Sequence, residues 1–189
     1  VHGLPIVEYC DRNRLSLRDR LEIFIGVCDG VQHAHQRGII HRDLKPSNIL
    51  VEDEDGVATP KVIDFGISKS LGSGSATLTG GVLFELLTGT LPFDFLELRR
   101  QGLEALRKAV RDEPAPWASS RWRVEDAERQ THERAEAALA RRAAPPQLAK
   151  QLRGDLDWVL RRALEKRPSA RYESVAALAR DVAEARLDP

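Results

Sequence analysis

The sequence has 189 residues, 42% of them hydrophobic, which is enough for one domain with an apolar core and too many for a wholly disordered chain. Lys and Arg together number 29, as do Asp and Glu, so the overall charge points neither to nucleic acid nor to an anionic membrane surface. The two cysteines, Cys10 and Cys28, lack metal-ligand spacing, no basic-then-apolar leader opens the chain, and no apolar run approaches the roughly 20 residues of a membrane span. A disulfide framework is not expected, and a soluble cytoplasmic chain is expected.

Val1 to Asn13 holds a Gly-Leu-Pro turn and a short apolar patch, Ile6-Val7, and reads as an opening in mid-domain. Ser16-Leu17-Arg18-Asp19 is a capping-box variant, in which the serine hydroxyl accepts a free backbone N–H and the acid favours the positive helix end. The spacing of Leu17, Leu21, Phe24, Cys28 and Val31 predicts a helix over residues 17–37 with one buried stripe, stopped by Gly38. His33 and His35 near its end have no carboxylate or cysteine cluster beside them and are assigned to packing and capping.

Ile39-Ile40 reads as a short strand entering the polar octet His41-Arg42-Asp43-Leu44-Lys45-Pro46-Ser47-Asn48. Ile49-Leu50-Val51 reads as the strand leaving it, Glu52 to Gly56 as a turn, and Lys61-Val62-Ile63 as the returning strand of a hairpin that ends in Asp64-Phe65-Gly66. Such a hairpin places Asp43, Asn48 and Asp64 at neighbouring strand ends. Two carboxylates and an amide then converge with Lys45 in one cleft, a set suited to a divalent cation and a phosphate chain.

The octet and the Asp64-Phe65-Gly66 triplet, in this order and with a hairpin between them, resemble the catalytic loop and metal-binding triplet of eukaryotic-type protein kinases. The resemblance implies a mainly α (α+β) fold over residues 1–189, the helical C-terminal lobe of a kinase domain with a small β-hairpin region at the active site. It further implies that Asp43 orients or accepts the proton of a substrate hydroxyl, that Lys45 faces the transferred phosphate, and that Asn48 and Asp64 coordinate Mg2+ with ATP. Lys45-Pro46 after Asp43-Leu44 is similar to the serine/threonine-specific subgroup, so the implied acceptor is a protein substrate, and bacterial members are resembled most. Arg42 resembles the arginine that reads phosphorylation of the activation segment. Ser68, Ser70, Ser73, Ser75, Thr77 and Thr79 are candidate phosphosites, with residues 71–81 expected to form a mobile, shortened activation loop.

Residues 81–93 resemble the second half of the family's central buried helix, ended by Gly89 and followed by Pro92. An Ala-Pro-Glu-like motif and the first half of that helix are missing before Gly81. From Asp94 the chain is expected to be helical and charged: a helix from Leu96 to Arg111, a break at Pro114 to Trp117, and a solvated charged insert over 124–146 closed by Pro145-Pro146. Acids and bases alternate in the insert without aromatics, so no nucleic-acid partner is read there. An amphipathic helix from Asp155 to Lys166 carries Trp158 as a core anchor, and Ser174 caps a last helix from about Val175 to Leu187. Leu164 to Tyr172 resembles the family's turn whose arginine, here Arg171, pairs with the glutamate of the missing motif.

The glycine-rich loop, the ATP-positioning lysine and its partner glutamate are not found in the sequence. Phosphoryl transfer depends on positioning and charge neutralisation, so impaired activity is expected of this chain, and a catalytically inactive scaffold or binding module is the alternative. Gly80-Gly81 at the start of a shortened buried helix predicts loose packing.

Overall fold

A computed structural model describes residues 2–65, 75–122 and 131–187. Gly66, the phosphosite candidates Ser68, Ser70 and Ser73, and the first part of the charged insert lie outside the described residues.

Three strands, β1 (Leu4–Pro5), β2 (Ile49–Glu54) and β3 (Val57–Val62), form one antiparallel sheet in the order β1-β2-β3. Leu4 pairs with Val51, and Ile49 with Val62 at the far end of the hairpin. Asp55 and Gly56, both at positive φ (54° and 83°), make the tight turn that matches the twist of the flanking strands. The hairpin is therefore longer than expected, since the acidic residues 52–54 belong to β2 rather than to its turn. Pro60 sits on the edge strand, where its missing N–H costs no ladder bond.

Helix α1 (Ile6–Arg12) was not legible in the opening stretch; it buries Ile6 and Cys10 against the sheet and α3. Helix α2 (Leu17–Gln36) starts where the capping box predicts. Ser16 Oγ accepts the Asp19 N–H (3.3 Å), and Asp19 Oδ2 accepts the Ser16 N–H (3.0 Å). Its stripe of Leu17, Leu21, Phe24, Cys28 and Val31 is buried. Ile39-Ile40 is not a strand: among the described residues no strand offers it a ladder, and the two side chains are 47% and 54% exposed.

The central helix α3 (Ser75–Thr88) runs through the core with Val82, Leu83, Phe84, Leu86 and Leu87 buried. It begins at Ser75, so residues 75–81, expected in a loop, form its first turns; Thr79 and Gly80 are buried there. A Cβ on Gly80 would lie 2.7 Å from the Ala163 Cβ, so the bare glycine lets α3 approach the end of α8 (Asp155–Ala163). Gly80 thus serves a close contact between α3 and α8.

The expected helix from Leu96 to Arg111 is two, α4 (Phe95–Gln101) and α5 (Leu103–Arg111), split at Gly102 (φ 110°). The described part of the charged insert is helical but not wholly turned to solvent. Helix α6 (Thr131–Leu139) buries Ala138, and Arg141 and Ala143 beyond it are buried too. Pro145 opens α7 (Pro145–Leu152) at its first position rather than closing what precedes it, because its ring presets the helical φ where no N–H is needed. Helix α8 turns Leu156, Val159, Leu160 and Ala163 inward, whereas Trp158, expected in the core, is exposed on the opposite side. Helix α9 (Val175–Glu184), capped by Ser174, packs along α2.

Two fully buried arginines close the C-terminal end of α3, whose last carbonyls have no partner within the helix. Arg20 donates to the carbonyls of Leu86 (3.1 Å), Ala140 (2.8 Å) and Leu15 (2.9 Å). Arg141 donates to Leu87 (2.7 Å), Leu86 (2.9 Å) and Glu85 (3.3 Å). Asp11 Oδ1 lies 2.7 Å from Arg20 and 3.6 Å from Arg141 and offsets part of the paired positive charge.

Candidate active site

The octet leaves α2 through Gly38 and enters β2 through a single 3-10 turn, Pro46–Asn48, closed by the Asn48 N–H on the Lys45 carbonyl (2.9 Å). Leu44 is buried and anchors the loop, which leaves Arg42, Asp43 and Lys45 at the surface. His41 is fully buried. Its Nε2 donates to the Ile63 carbonyl (2.9 Å), and its Nδ1 accepts the Asp43 N–H (3.3 Å), a pattern that assigns the neutral Nε2–H tautomer. The Phe65 ring packs on the imidazole with centroids 4.9 Å apart.

Asn48 completes the frame. Its Nδ2 donates to the Asp43 carbonyl (2.9 Å), and its own carbonyl accepts the Ile63 N–H (2.9 Å). Loop and returning strand are thus fastened on both sides of Asp43, one residue short of Asp64. Asp64 sits at φ 53°, a left-handed backbone that aspartate tolerates better than most side chains, and is exposed. Lys45 Nζ lies 3.2 Å from Asp43 Oδ2, with both side chains about half exposed, so this ion pair adds little stability and is open to exchange with a charged ligand.

The frame therefore joins Asp43, Lys45 and Asn48, and Asp64 directly follows Ile63, whose N–H and carbonyl both bond to this frame. With the Asn48 amide nitrogen used on Asp43, its Oδ1 is the atom left for a cation, and Asp64 adds a carboxylate. Among the described residues no group of three or more His, Cys, Asp or Glu could hold a metal. Two hard oxygen donors fit a magnesium ion that keeps waters and phosphate oxygens, not a closed protein cage. His41 had no role assigned from the sequence; only its place at the head of the octet could have marked it. Arg171 binds the carbonyls of Glu165 (2.5 Å) and Lys166 (2.9 Å), and its buried Nη1 meets no acceptor among the described residues.

Residues 5–81 match the protein kinase domain family. The probable serine/threonine-protein kinase PknB of Lactococcus lactis is 36% identical over 124 residues, covering 50% of this chain and 19% of that protein. Serine/threonine-protein kinase Pkn1 of Myxococcus xanthus is 34% identical over 182 residues, covering 80% of this chain and 22% of its own. The chain thus spans about a fifth of the length of these curated relatives. The crystal structure of the PknI kinase domain of Mycobacterium tuberculosis superposes with a TM-score of 0.61 at 21% identity, over 97% of this chain and 62% of that one, a likeness of fold. Fold and loop geometry together define part of a protein kinase catalytic domain. Residues 5–81 thus carry part of a protein kinase domain, and the relatives named are serine/threonine kinases of bacteria.

Proposed function

We propose that this chain contributes the catalytic-loop side of a serine/threonine protein kinase site, where phosphate passes from ATP to a hydroxyl of a protein substrate. The exposed Asp43 would accept or orient the hydroxyl proton, and Lys45, 3.2 Å from it, would face the transferred phosphate. Asn48 and Asp64 would hold Mg2+, which supplies neutralisation of the phosphate charge. The observation that carries this reading is the frame of His41, Asn48 and Ile63, which fixes the backbone of Asp43 from both sides and leaves its carboxylate exposed. A cytoplasmic setting suits Cys10 and Cys28, both free and buried, with burial pushing the Cys10 thiol up to about 11. No described helix is long and apolar enough to cross a membrane.

The competing reading is an inactive scaffold or binding module. It is favoured by the start of α3 at Ser75, only nine positions after Gly66, which leaves little chain to position a substrate. Magnesium-dependent labelling of a general protein substrate by radioactive ATP separates the two. Labelling lost in Asp43→Asn supports the enzyme, and equal background in both proteins leaves the scaffold.

A further inference from the structure

The outward side of α8 carries an aromatic and cationic surface that phosphoryl transfer does not use. Trp158 is 66% exposed, a large apolar area for one side chain to leave in water. It is also held in place: the Trp117 ring meets it edge-on, with centroids 5.0 Å apart at 81°, and the Arg161 guanidinium stacks 4.3 Å over the Trp117 ring. A groove of about 410 Å3 runs beside the two tryptophans, with Arg153 on its rim.

The charge of this groove is one-sided. Its one lining acid, Asp157, is 5% exposed and spends its carboxylate inward, on the Ser119 N–H (3.0 Å) and Oγ–H (2.6 Å). Neither Arg153 nor Arg161 forms an ion pair among the described residues, and a stacked guanidinium keeps its in-plane N–H groups for a carboxylate. The cation on the other flank of Trp158 is spoken for, since Arg162 lies over Tyr172 and pairs with Asp181 at 3.3 Å. Preset tryptophan and arginine side chains lose little freedom on binding and dominate the energetics of protein interfaces.

We propose that the Trp117–Trp158 groove binds an extended acidic segment of a partner protein, with an apolar or proline residue laid on Trp158 and flanking carboxylates on Arg153 and Arg161. Binding there needs neither ATP nor the catalytic loop, so its outcome is independent of kinase activity. The test uses the full chain and a fluorescein-labelled synthetic peptide of repeating Glu-Pro-Leu-Glu units, against the same peptide with lysine for glutamate, read by anisotropy. The acidic peptide is expected to bind and to shift tryptophan emission, with an affinity that falls as salt rises. Trp158→Ala should weaken binding about tenfold, and Arg153→Glu or Arg161→Glu about fivefold each. Trp158→Phe, which keeps an apolar ring, should retain most of it. In the double charge reversal the preference should pass to the lysine peptide, a gain that loss of folding cannot produce. The proposal is overturned if the wild-type chain binds both peptides equally or neither, if Trp158→Ala leaves the affinity unchanged, or if anionic lipid vesicles bind at this groove in place of the peptide.

Discussion

Arg141→Met removes a buried cation from the end of the central helix while keeping an unbranched apolar stem. In the native chain the guanidinium makes four hydrogen bonds to carbonyls, to Leu87 and Ala137 at 2.7 Å, Leu86 at 2.9 Å and Glu85 at 3.3 Å. Burial, and after it the neighbouring Arg20 charge, pushes its pKa from 12.5 down to about 10, with Asp11 opposing. That drop corresponds to roughly 3 kcal/mol of unfavourable desolvation and repulsion. Bonds from a charged donor contribute about 1.5 kcal/mol each at the low end of their range, so four of them exceed this cost by about 3 kcal/mol. Part of the cap survives the substitution, because Arg20 still reaches the Leu86 carbonyl at 3.1 Å, while the Leu87 carbonyl loses its Arg141 bond. The variant should therefore lose about 3 kcal/mol and about 6 to 12 °C in Tm, measured by urea and thermal unfolding followed by circular dichroism. A loss below about 1 kcal/mol would refute the idea that the arginines, rather than apolar packing alone, secure this helix end.

The two neighbouring glycines of α3 should respond oppositely to alanine. Gly80→Ala meets Ala163 at 2.7 Å and should destabilise by about 1–3 kcal/mol, whereas Gly81→Ala meets nothing within 4 Å and should gain about 0.5–1 kcal/mol from helix propensity; equal shifts in Tm would contradict the close approach of α3 and α8. Burial first, then the Asp181 hydrogen bond at 2.8 Å, raises the Tyr172 pKa above 10.0. The folded chain then keeps this proton where the unfolded chain releases it, so stability should fall as pH rises above about 10, and Tyr172→Phe should flatten that slope. Asp43→Asn should abolish any magnesium-dependent labelling without a measurable change in urea midpoint, since its carboxylate is half exposed and only loosely paired.

Local chemistry was the most legible part of the sequence. The Ser16–Asp19 capping box marks the start of α2, and the apolar stripe fixes its inward side, because both depend on residues within a turn or two of each other. The hairpin was readable from its β-branched runs, and with it the nearness of Asn48 to the strand before Asp64, although its two-residue turn was narrower than the acidic stretch suggested. What failed depended on partners distant in the chain. Trp158 has the composition of an anchor, yet α8 already fills its inward side with Leu156, Val159, Leu160 and Ala163. Arg141 sits in a stretch whose charge reads as solvated, and only the open carbonyls of α3 explain its burial. His41 is similar: its bonds go to Asp43 and to Ile63, 22 positions away, and no periodicity signals such a bridge.

The double arginine closure of α3 also bears on how the chain emerges from the ribosome. Arg20 bonds the carbonyl of Ala140, 120 positions on, and Arg141 completes the same closure. At about 5–20 residues per second, roughly 6 to 24 s separate the synthesis of the two. For the last 53 residues of that interval, about 3 to 11 s, α3 is already made, with its apolar residues and its terminal carbonyls lacking one of their two clamps. The stretch of chain ahead of Arg141 is therefore a nascent species that should engage holdase chaperones until Arg141 clears the exit tunnel.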